Sequence, residues 1–324
     1  MNRVVERVQI DDSIRRAARH WNLQVKEIRE DIPMAGSPER CELRFVVHCH
    51  DNRLYVLESL FKDHVGHKHR IIGVLDYLFR QGTPAIHPYL CTKNKGCIVS
   101  CHDRFWQLAP YIEGAALDRP GYVFDKWRGS VLAGFLIDLR EKARDVPGFS
   151  PLEPFSIKGY IYGLMSQIKR HKPELFKEMV PVVAFLEKRF MAVHDRLPVA
   201  FCHGDYHPLN LIWSSDSIHA VIDWEFSGYK PEIYDIANLI GCSGMEDPGG
   251  LSGDLVKELV RQLRGAGMIS DVSWEHLCEF VVAMRFAWMS EWLRNEDQDM
   301  IDLEALYMRL LVAHSERLKS LWGL

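Results

Sequence analysis

Three polar residues near the middle of the chain constrain its fold more than any other feature. The segment Phe201–Asn210 reads F-C-H-G-D-Y-H-P-L-N, and the segment Ala220–Glu225 reads A-V-I-D-W-E. Asp205 stands five residues before Asn210, and Asp223 follows Asn210 by thirteen residues. The apolar residues around them are typical of short strands joined by turns. The chain is therefore expected to bring a loop carboxylate together with a hairpin that carries an amide and a second carboxylate.

These side chains are suited to phosphoryl transfer. Transfer from ATP requires a carboxylate that accepts a hydroxyl proton, and oxygen ligands that hold Mg²⁺ against the phosphates. The kinase pattern H-x-D-x-x-x-x-N, followed by an aspartate, supplies them in this order. We therefore predict Asp205 as the catalytic base and Asn210 and Asp223 as metal ligands. Taken singly, Asp205 could cap a turn and Asn210 could end one, so the spacing is what favours catalysis.

Two histidines flank the predicted base, and we predict that both belong to the catalytic set. His203 is expected to hold the loop backbone through hydrogen bonds, and His207 is expected to lie near the phosphates. Their spacing of four residues would suit a zinc site on a helix, but Gly204 and Pro208 argue against a helix there. Glu225 is either a further group at the metal or a solvated turn residue, and the sequence leaves both open.

The bulk composition is that of a globular protein with more than one core. The chain has 324 residues, 47% hydrophobic and 26% charged, with a net charge of −4. That charge gives no reason to expect a nucleic-acid partner. No uninterrupted apolar stretch reaches the ~18 residues of a membrane helix, so no membrane partner is expected. The eight cysteines include no C-x-x-C pair, which predicts reduced thiols in a cytoplasmic protein.

The hydrophobic pattern predicts a nucleotide-binding lobe over residues 1–110 and a mostly helical catalytic and acceptor-binding lobe over 111–324. In the first lobe it predicts helices over 12–30 and 68–81, a hairpin over 42–60 that turns at Asp51-Asn52, and strands near 89–92, 96–100 and 105–111. In the second it predicts a β-rich segment over 200–224 and helices over 125–144, 160–169, 173–194, 255–265, 274–294 and 302–322.

The motif residues resemble those of the aminoglycoside phosphotransferase and choline kinase superfamily. Its H-G-D-x-H-x-x-N signature is matched in full over residues 203–210, and I-D-W-E at 222–225 is similar to its metal-binding segment. Y-D-I-A-N at 234–238 is similar to its Y-D-L-A element, which implies that Asp235 braces the catalytic loop. The resemblance implies a protein-kinase-like two-lobe α+β fold and an ATP- and Mg²⁺-dependent transfer to a small-molecule hydroxyl.

The resemblance also implies where the nucleotide binds. W-Q-L-A-P-Y-I-E-G at Trp106–Gly114 is similar to the family's interlobe connector, so Leu108 and Tyr111 are expected to hold adenine through their backbone groups. Ser37 and Arg40 lie in the only candidate for a phosphate-covering loop, although a plain turn fits this segment as well.

One departure from the family pattern concerns the phosphates. The strand that usually ends in V-L-K, with a phosphate-binding lysine, here ends in V-L-E at Glu58. We hypothesise that Lys62, Lys68 or Arg70 supplies the missing cation, with Glu58 as its ion-pair partner.

The acceptor is less constrained. Trp288, Glu291 and Trp292 recur at helical spacing, and aromatic rings with a carboxylate suit an ammonium group or a sugar. An amino sugar, an amino alcohol, another sugar and a homoserine-like acceptor all stay open. The alternative function is a catalytically silent nucleotide-binding or regulatory protein of the same fold. Protein phosphorylation is disfavoured because the chain contains no D-F-G or A-P-E segment.

Overall fold

The computed structural model describes residues 2–34 and 40–324, with residues 2–9 described by their backbone only. The chain divides into two compact units. The first comprises Met1–Ala115, Asp145–Gly148 and Leu209–Glu225, and the second comprises Ala116–Arg144, Phe149–Pro208 and Phe226–Leu324. The first unit contains an antiparallel sheet and the second is mostly helical, so the predicted α+β class is confirmed.

Strands of the described residues fall in three sheets. Their bounds are β1 (Val25–Ile28), β2 (Leu43–Cys49), β3 (Leu54–Leu60), β4 (Ile98–Cys101), β5 (Arg104–Pro110), β6 (Val199–Cys202), β7 (Leu211–Trp213), β8 (Ile218–Val221) and β9 (Gly228–Pro231). The first five form one sheet in the order β1-β2-β3-β5-β4, and the others form the pairs β6-β9 and β7-β8. Every pair is antiparallel.

Helices occupy most of the remaining described chain. Their bounds are α1 (Asn2–Arg19), α2 (Val65–Arg80), α3 (Lys126–Lys142), α4 (Ile157–His171), α5 (Pro173–Arg189), α6 (Met191–His194), α7 (Tyr234–Glu246), α8 (Asp254–Ala266), α9 (Asp271–Glu275), α10 (Leu277–Arg294), α11 (Gln298–Ala313) and α12 (Ser315–Leu321). The first two belong to the first unit and the rest to the second.

The β2-β3 hairpin turns at Asp51-Asn52, as predicted. Asn52 adopts a φ of +61°, which asparagine tolerates better than most residues, and the Tyr55 hydroxyl donates to Asp51 Oδ2 at 2.6 Å. This turn sets a register in which Arg44 lies directly opposite Glu58. Because side chains alternate between the faces of a strand, these two residues share one face of the sheet.

The other face of the sheet packs against α1. The helix contributes Ile14, Ala17 and Ala18, and the strands contribute Leu57 and Leu108, all of them fully buried in one cluster. Apolar burial of this kind stabilises the unit by roughly 25 cal/mol per Å² removed from water. The neighbours of Leu57 and Leu108 along their strands therefore point away from α1.

Two of the predicted elements in the first unit are wrong. A single helix over 12–30 does not form, because α1 ends at Arg19 and Asn22 turns the chain with a φ of +59° before β1 begins. The segment 89–92 is not a strand. Leu90 donates one backbone bond to Leu108 at 2.7 Å, and its carbonyl accepts from the Trp21 indole at 2.7 Å.

The expectation of fully reduced thiols is also wrong for two of the eight cysteines. Cys91 and Cys97 form a disulfide across a tight turn, in which the Thr92 N–H donates to the Gly96 carbonyl at 2.9 Å. Within the described ranges the other six cysteines are free thiols. The short loop between the two residues, which the sequence pattern did not single out, brings the sulfur atoms together.

In the second unit α10 lies at the centre. Its residues Leu277–Phe286 are all buried, which is the pattern of a helix enclosed on every side, and it contacts α4, α7 and α11. The predicted helix over 302–322 is two helices, because His314 ends α11 and α12 begins at Ser315. Helix α7 was not predicted as a helix, although its first residues carry the Y-D-I-A-N motif.

Candidate active site

One buried carboxylate holds the backbone of the predicted catalytic loop. Asp235, in the first turn of α7, accepts hydrogen bonds from the backbone N–H of His203 at 2.7 Å and of Gly204 at 2.8 Å. Burial raises the pKa of Asp235, while the neighbouring His203 and the two N–H donors oppose that rise. The expectation that Asp235 braces this loop is confirmed.

The glycine of the loop is required by its backbone. Gly204 has a φ of +86°, a conformation that other residues rarely adopt. A Cβ at this position would lie 2.1 Å from the Phe226 carbonyl oxygen and 2.7 Å from Lys230 Cε. The chain therefore turns sharply between β6 and Asp205, and the side chain of Asp205 follows immediately after that turn.

Both predicted histidines contact this loop. His203 is fully buried and accepts a hydrogen bond at Nδ1 from the Asp205 N–H at 3.2 Å, which is the kind of loop contact expected of it, and its place in the catalytic set stays a prediction. His207 Nε2 lies 3.5 Å from Asp205 Oδ1. The His207 ring also packs edge-on against Trp288, with the ring centroids 5.7 Å apart. The Asp205 side chain keeps 18% of its surface exposed, enough for contact with a ligand.

The two predicted metal ligands lie together in the first unit. The β7-β8 hairpin pairs Leu211 with Val221, and the Ile222 N–H donates to the Asn210 carbonyl at 3.0 Å. Asp223 follows with a φ of +60°, an uncommon backbone conformation for a non-glycine residue and one that is enriched at functional sites. An amide oxygen and a carboxylate are both hard donors suited to Mg²⁺. Asp205 belongs to the second unit, so its convergence with this pair stays a prediction.

The predicted nucleotide-binding residues have different surroundings. Leu108 is buried, and its carbonyl accepts from Leu90, while the Tyr111 N–H donates to the Leu54 carbonyl at 3.1 Å. Lys62 is exposed in the turn before α2. Ser37 lies outside the described residues. These nucleotide contacts stay predictions.

Two cations, Lys68 and Arg40, act on Glu225, the acidic residue that follows Asp223 by two positions. Lys68 of α2 forms an ion pair with Glu225, and His67 contacts the Glu225 carbonyl at 2.8 Å. Burial tends to raise the pKa of Glu225, but Lys68 and Arg40 outweigh it and lower that pKa. Arg40 therefore lies in the same neighbourhood as the predicted metal segment, and Glu225 is paired rather than solvated.

Glu58 has a different partner from those hypothesised. Its Oε1 accepts from Arg44 Nε at 2.6 Å, and its Oε2 accepts from Gln107 Nε2 at 2.5 Å. Sequence reasoning missed Arg44 and Gln107. A signal for Arg44 was present, because a hairpin that turns at Asp51-Asn52 places residue 44 opposite residue 58.

A comparison with protein families decides the class of this chain. The model of the phosphotransferase enzyme family matches residues 46–267, which is more than half of the chain. The chain belongs to this family. Membership confirms the predicted class of enzyme, a phosphotransferase. The matched range includes the predicted catalytic loop, both predicted metal ligands and Asp235.

Solved structures agree with this family assignment. The GDP complex of aminoglycoside 2'-phosphotransferase-IIIa is 16% identical, with 95% of this chain and 99% of that chain covered and a TM-score of 0.68. Amicoumacin kinase hAmiN, in complex with AMP-PNP, Ca²⁺ and Ami, is 12% identical, with 97% and 96% covered and a TM-score of 0.67. These likenesses confirm the protein-kinase-like fold.

One curated relative matches over a short segment. Ethanolamine kinase 2 of Rattus norvegicus is 38% identical over 65 residues, which cover 18% of this chain and 17% of that protein. The matched segment thus spans about a sixth of the relative's length. The family model, matched over residues 46–267, is what bears out the predicted resemblance.

The predicted acceptor-side residues of this phosphotransferase family member form hydrogen bonds or ion pairs with other residues of the second unit. The Trp288 indole donates to Asn238 Oδ1 at 3.2 Å, and the Trp292 indole donates to Glu304 Oε2 at 3.2 Å. Glu291 forms an ion pair with Arg294 on the same helix. No helix in the described part of the chain has the length and apolar character needed to span a membrane.

Proposed function

We propose that this phosphotransferase transfers the γ-phosphate of ATP to a hydroxyl group of a small molecule, with Mg²⁺ as the metal. The braced catalytic loop carries the proposal. Asp235 holds two consecutive N–H groups directly before Asp205, so the position of that carboxylate is set before substrate arrives. Catalysis by positioning depends on such pre-organisation. AMP-PNP and Ca²⁺ in the amicoumacin kinase structure support ATP and a divalent metal here.

In the proposed reaction Asp205 accepts the proton of the acceptor hydroxyl. The hydroxyl oxygen forms a bond to the γ-phosphorus while the bond from that phosphorus to the β–γ bridging oxygen breaks. The bridging oxygen leaves with the electron pair as part of ADP, and the phosphorylated acceptor is released. His207, 3.5 Å from Asp205 Oδ1, steadies the carboxylate and adds a polar group beside it.

Asn210 and Asp223 are proposed to hold the metal. Their donors are an amide oxygen and a carboxylate, and the β7-β8 hairpin keeps their segments side by side. When bound, Mg²⁺ neutralises charge on the phosphates. Glu225, anchored by Lys68 two residues after Asp223, restrains the end of this segment.

The acceptor is proposed to be a small molecule with a free hydroxyl: an amino sugar, an amino alcohol, another sugar or a homoserine-like compound. The names of the aminoglycoside enzyme and of ethanolamine kinase 2 support the amine-bearing members of this set. Because ATP is an intracellular substrate, we propose a cytoplasmic location. Glu58 favours a second candidate, a catalytically silent nucleotide-binding protein, since a carboxylate near phosphate would repel it.

The experiment is a coupled ADP-release screen of the full chain with Mg²⁺, ATP or GTP, and a panel of aminoglycosides, amino alcohols, homoserine and hexoses. Asp205→Asn is expected to lower kcat by roughly 10²–10⁴-fold, the usual contribution of a general base. The matched control is Asp216→Asn, which removes an exposed carboxylate from the turn after β7. Its activity is expected to equal that of the unaltered chain.

The outcomes separate the two candidates. Turnover that depends on Asp205 but not on Asp216 establishes the kinase. Nucleotide binding without ADP release on any acceptor, unchanged in the Asp205→Asn variant, identifies the silent protein.

A further inference from the structure

A row of polar side chains crosses the face of the first unit's sheet that points away from α1. Arg44 on β2, Glu58 on β3 and Gln107 on β5 stand on one line, because the register pairs the first with the second and the second with the third. Both oxygens of Glu58 accept hydrogen bonds within this row. A buried carboxylate with two such partners is fixed in position, and so is the guanidinium it holds.

Arg44 carries its charge in a setting where acidic groups favour it. Burial opposes that charge, but the surrounding groups, Glu58 foremost, outweigh burial and raise the pKa of the guanidinium. Asp223, the proposed metal ligand, is also among the groups whose charge favours the ionised guanidinium. An arginine that Glu58 holds in a fixed orientation is well suited to bind a polyphosphate, because its planar fork matches phosphate oxygens.

The other buried cation of this neighbourhood, Lys68, has a different setting. Its ammonium pairs directly with Glu225, and its side chain is 3% exposed, against 13% for Arg44. With His67 contacting the Glu225 backbone, Lys68 secures α2 to the segment that follows Asp223. We assign it to anchoring that segment.

We propose that Arg44 is the cation that binds the phosphates of the nucleotide in this chain, and that Glu58 is a positioning residue that orients its guanidinium. The inference rests on the proposed function and identifies its phosphate-binding residue. Arg44 on β2 thus carries the positive charge, and Glu58 on the adjacent strand β3 carries the carboxylate. Glu58 then ceases to be an obstacle to nucleotide binding, because its charge is matched by Arg44 within 2.6 Å.

The test measures binding of ATP, ADP and adenosine to the full chain by calorimetry with Mg²⁺ present. Arg44→Gln is expected to weaken ATP and ADP by about ten- to a hundredfold, the range for one or two hydrogen bonds to a charged group. Adenosine, which has no phosphate, is expected to change by less than about threefold. Glu58→Gln is expected to raise the KM for ATP, with a smaller effect on kcat, because it loosens the guanidinium without removing it.

One matched control and two comparison variants complete the test. Arg104→Gln removes an arginine from β5 that pairs with Glu42 at 2.5 Å on the same sheet, and it should leave all three affinities unchanged. Lys68→Met removes the other buried cation. Arg44→Lys keeps the positive charge beside Glu58 but lacks the planar guanidinium. It provides the same test if Arg44→Gln does not fold.

A rescue variant tests the geometry directly. In Arg44→Met/Glu58→Lys the positive charge moves one strand across to the neighbouring position of the register, where Cβ atoms are about 5 Å apart. We expect this double variant to bind ADP at least tenfold more tightly than Arg44→Met alone.

Failure of the inference differs from failure of the proposed function. If the unaltered chain binds ATP while Arg44→Gln and Arg44→Lys bind it equally well, Arg44 is not the phosphate ligand and the kinase proposal stands. A loss of ATP and ADP affinity in Lys68→Met that is absent from Arg44→Gln likewise overturns the assignment of Arg44. If the unaltered chain binds neither ATP nor GTP, both proposals fall together.

Discussion

Replacing Asp235 by asparagine tests how far the catalytic loop depends on one buried carboxylate. Asp235 is 3% exposed and accepts two backbone hydrogen bonds, at 2.7 and 2.8 Å. An asparagine keeps one acceptor oxygen but turns its NH₂ group toward the second N–H. The variant therefore loses one charge-assisted bond and leaves one buried donor unpaired, each costing about 1–3 kcal/mol.

Removal of a buried charge offsets part of this loss. Burial disfavours the ionised carboxylate, as the raised pKa of Asp235 indicates. We expect a net decrease of about 2–4 kcal/mol in the free energy of unfolding. We also expect kcat to fall by roughly ten- to a hundredfold, because the loop that carries Asp205 is displaced.

Urea denaturation and steady-state ADP release measure the two effects. The matched control is Asp247→Asn, since Asp247 also accepts a backbone bond, from Gly249 at 2.7 Å, but at an exposed turn. Asparagine and aspartate cap such turns almost equally well, so the control should cost less than about 0.5 kcal/mol. Equal stability and equal kcat in the two variants would refute the bracing role of Asp235.

Two further predictions concern stability. Arg285 and Glu304 form a fully buried pair with two bonds of 2.6 Å, so Arg285→Met should lower the unfolding free energy by about 3–5 kcal/mol. Adding Glu304→Leu should restore most of it in a urea titration, and a double variant no more stable than the single one contradicts this. Hydrogen bonds from Arg261 and Gln262 lower the pKa of Glu258 to about 2 from 4.5. Glu258 therefore stabilises the fold above pH 4.5 and loses this effect as the pH falls toward 2. Between pH 4.5 and pH 2 the free energy of unfolding should fall more steeply with decreasing pH for the unaltered chain than for Glu258→Gln. Equal slopes for the two proteins would exclude the effect.

Much of the candidate site was predictable because its residues are close together in the chain. The H-G-D-x-H-x-x-N run requires one sharp turn, and Gly204 with its φ of +86° supplies it. The Asp51-Asn52 turn likewise sets the β2-β3 register from a few neighbouring residues. Errors arose where a turn interrupts a continuous apolar pattern, as at Asn22 and His314.

The sequence by itself determined the chemistry this chain can offer, since the identities and spacing of Asp205, Asn210 and Asp223 are independent of how distant segments pack. Only the tertiary structure decided which charges neutralise each other. Lys68 and Glu225, for example, are 157 residues apart in the chain, and no local pattern indicates that they pair. The physical reason is that a buried charge takes whichever opposite charge the fold brings within a few ångströms, and separation along the chain does not limit that choice.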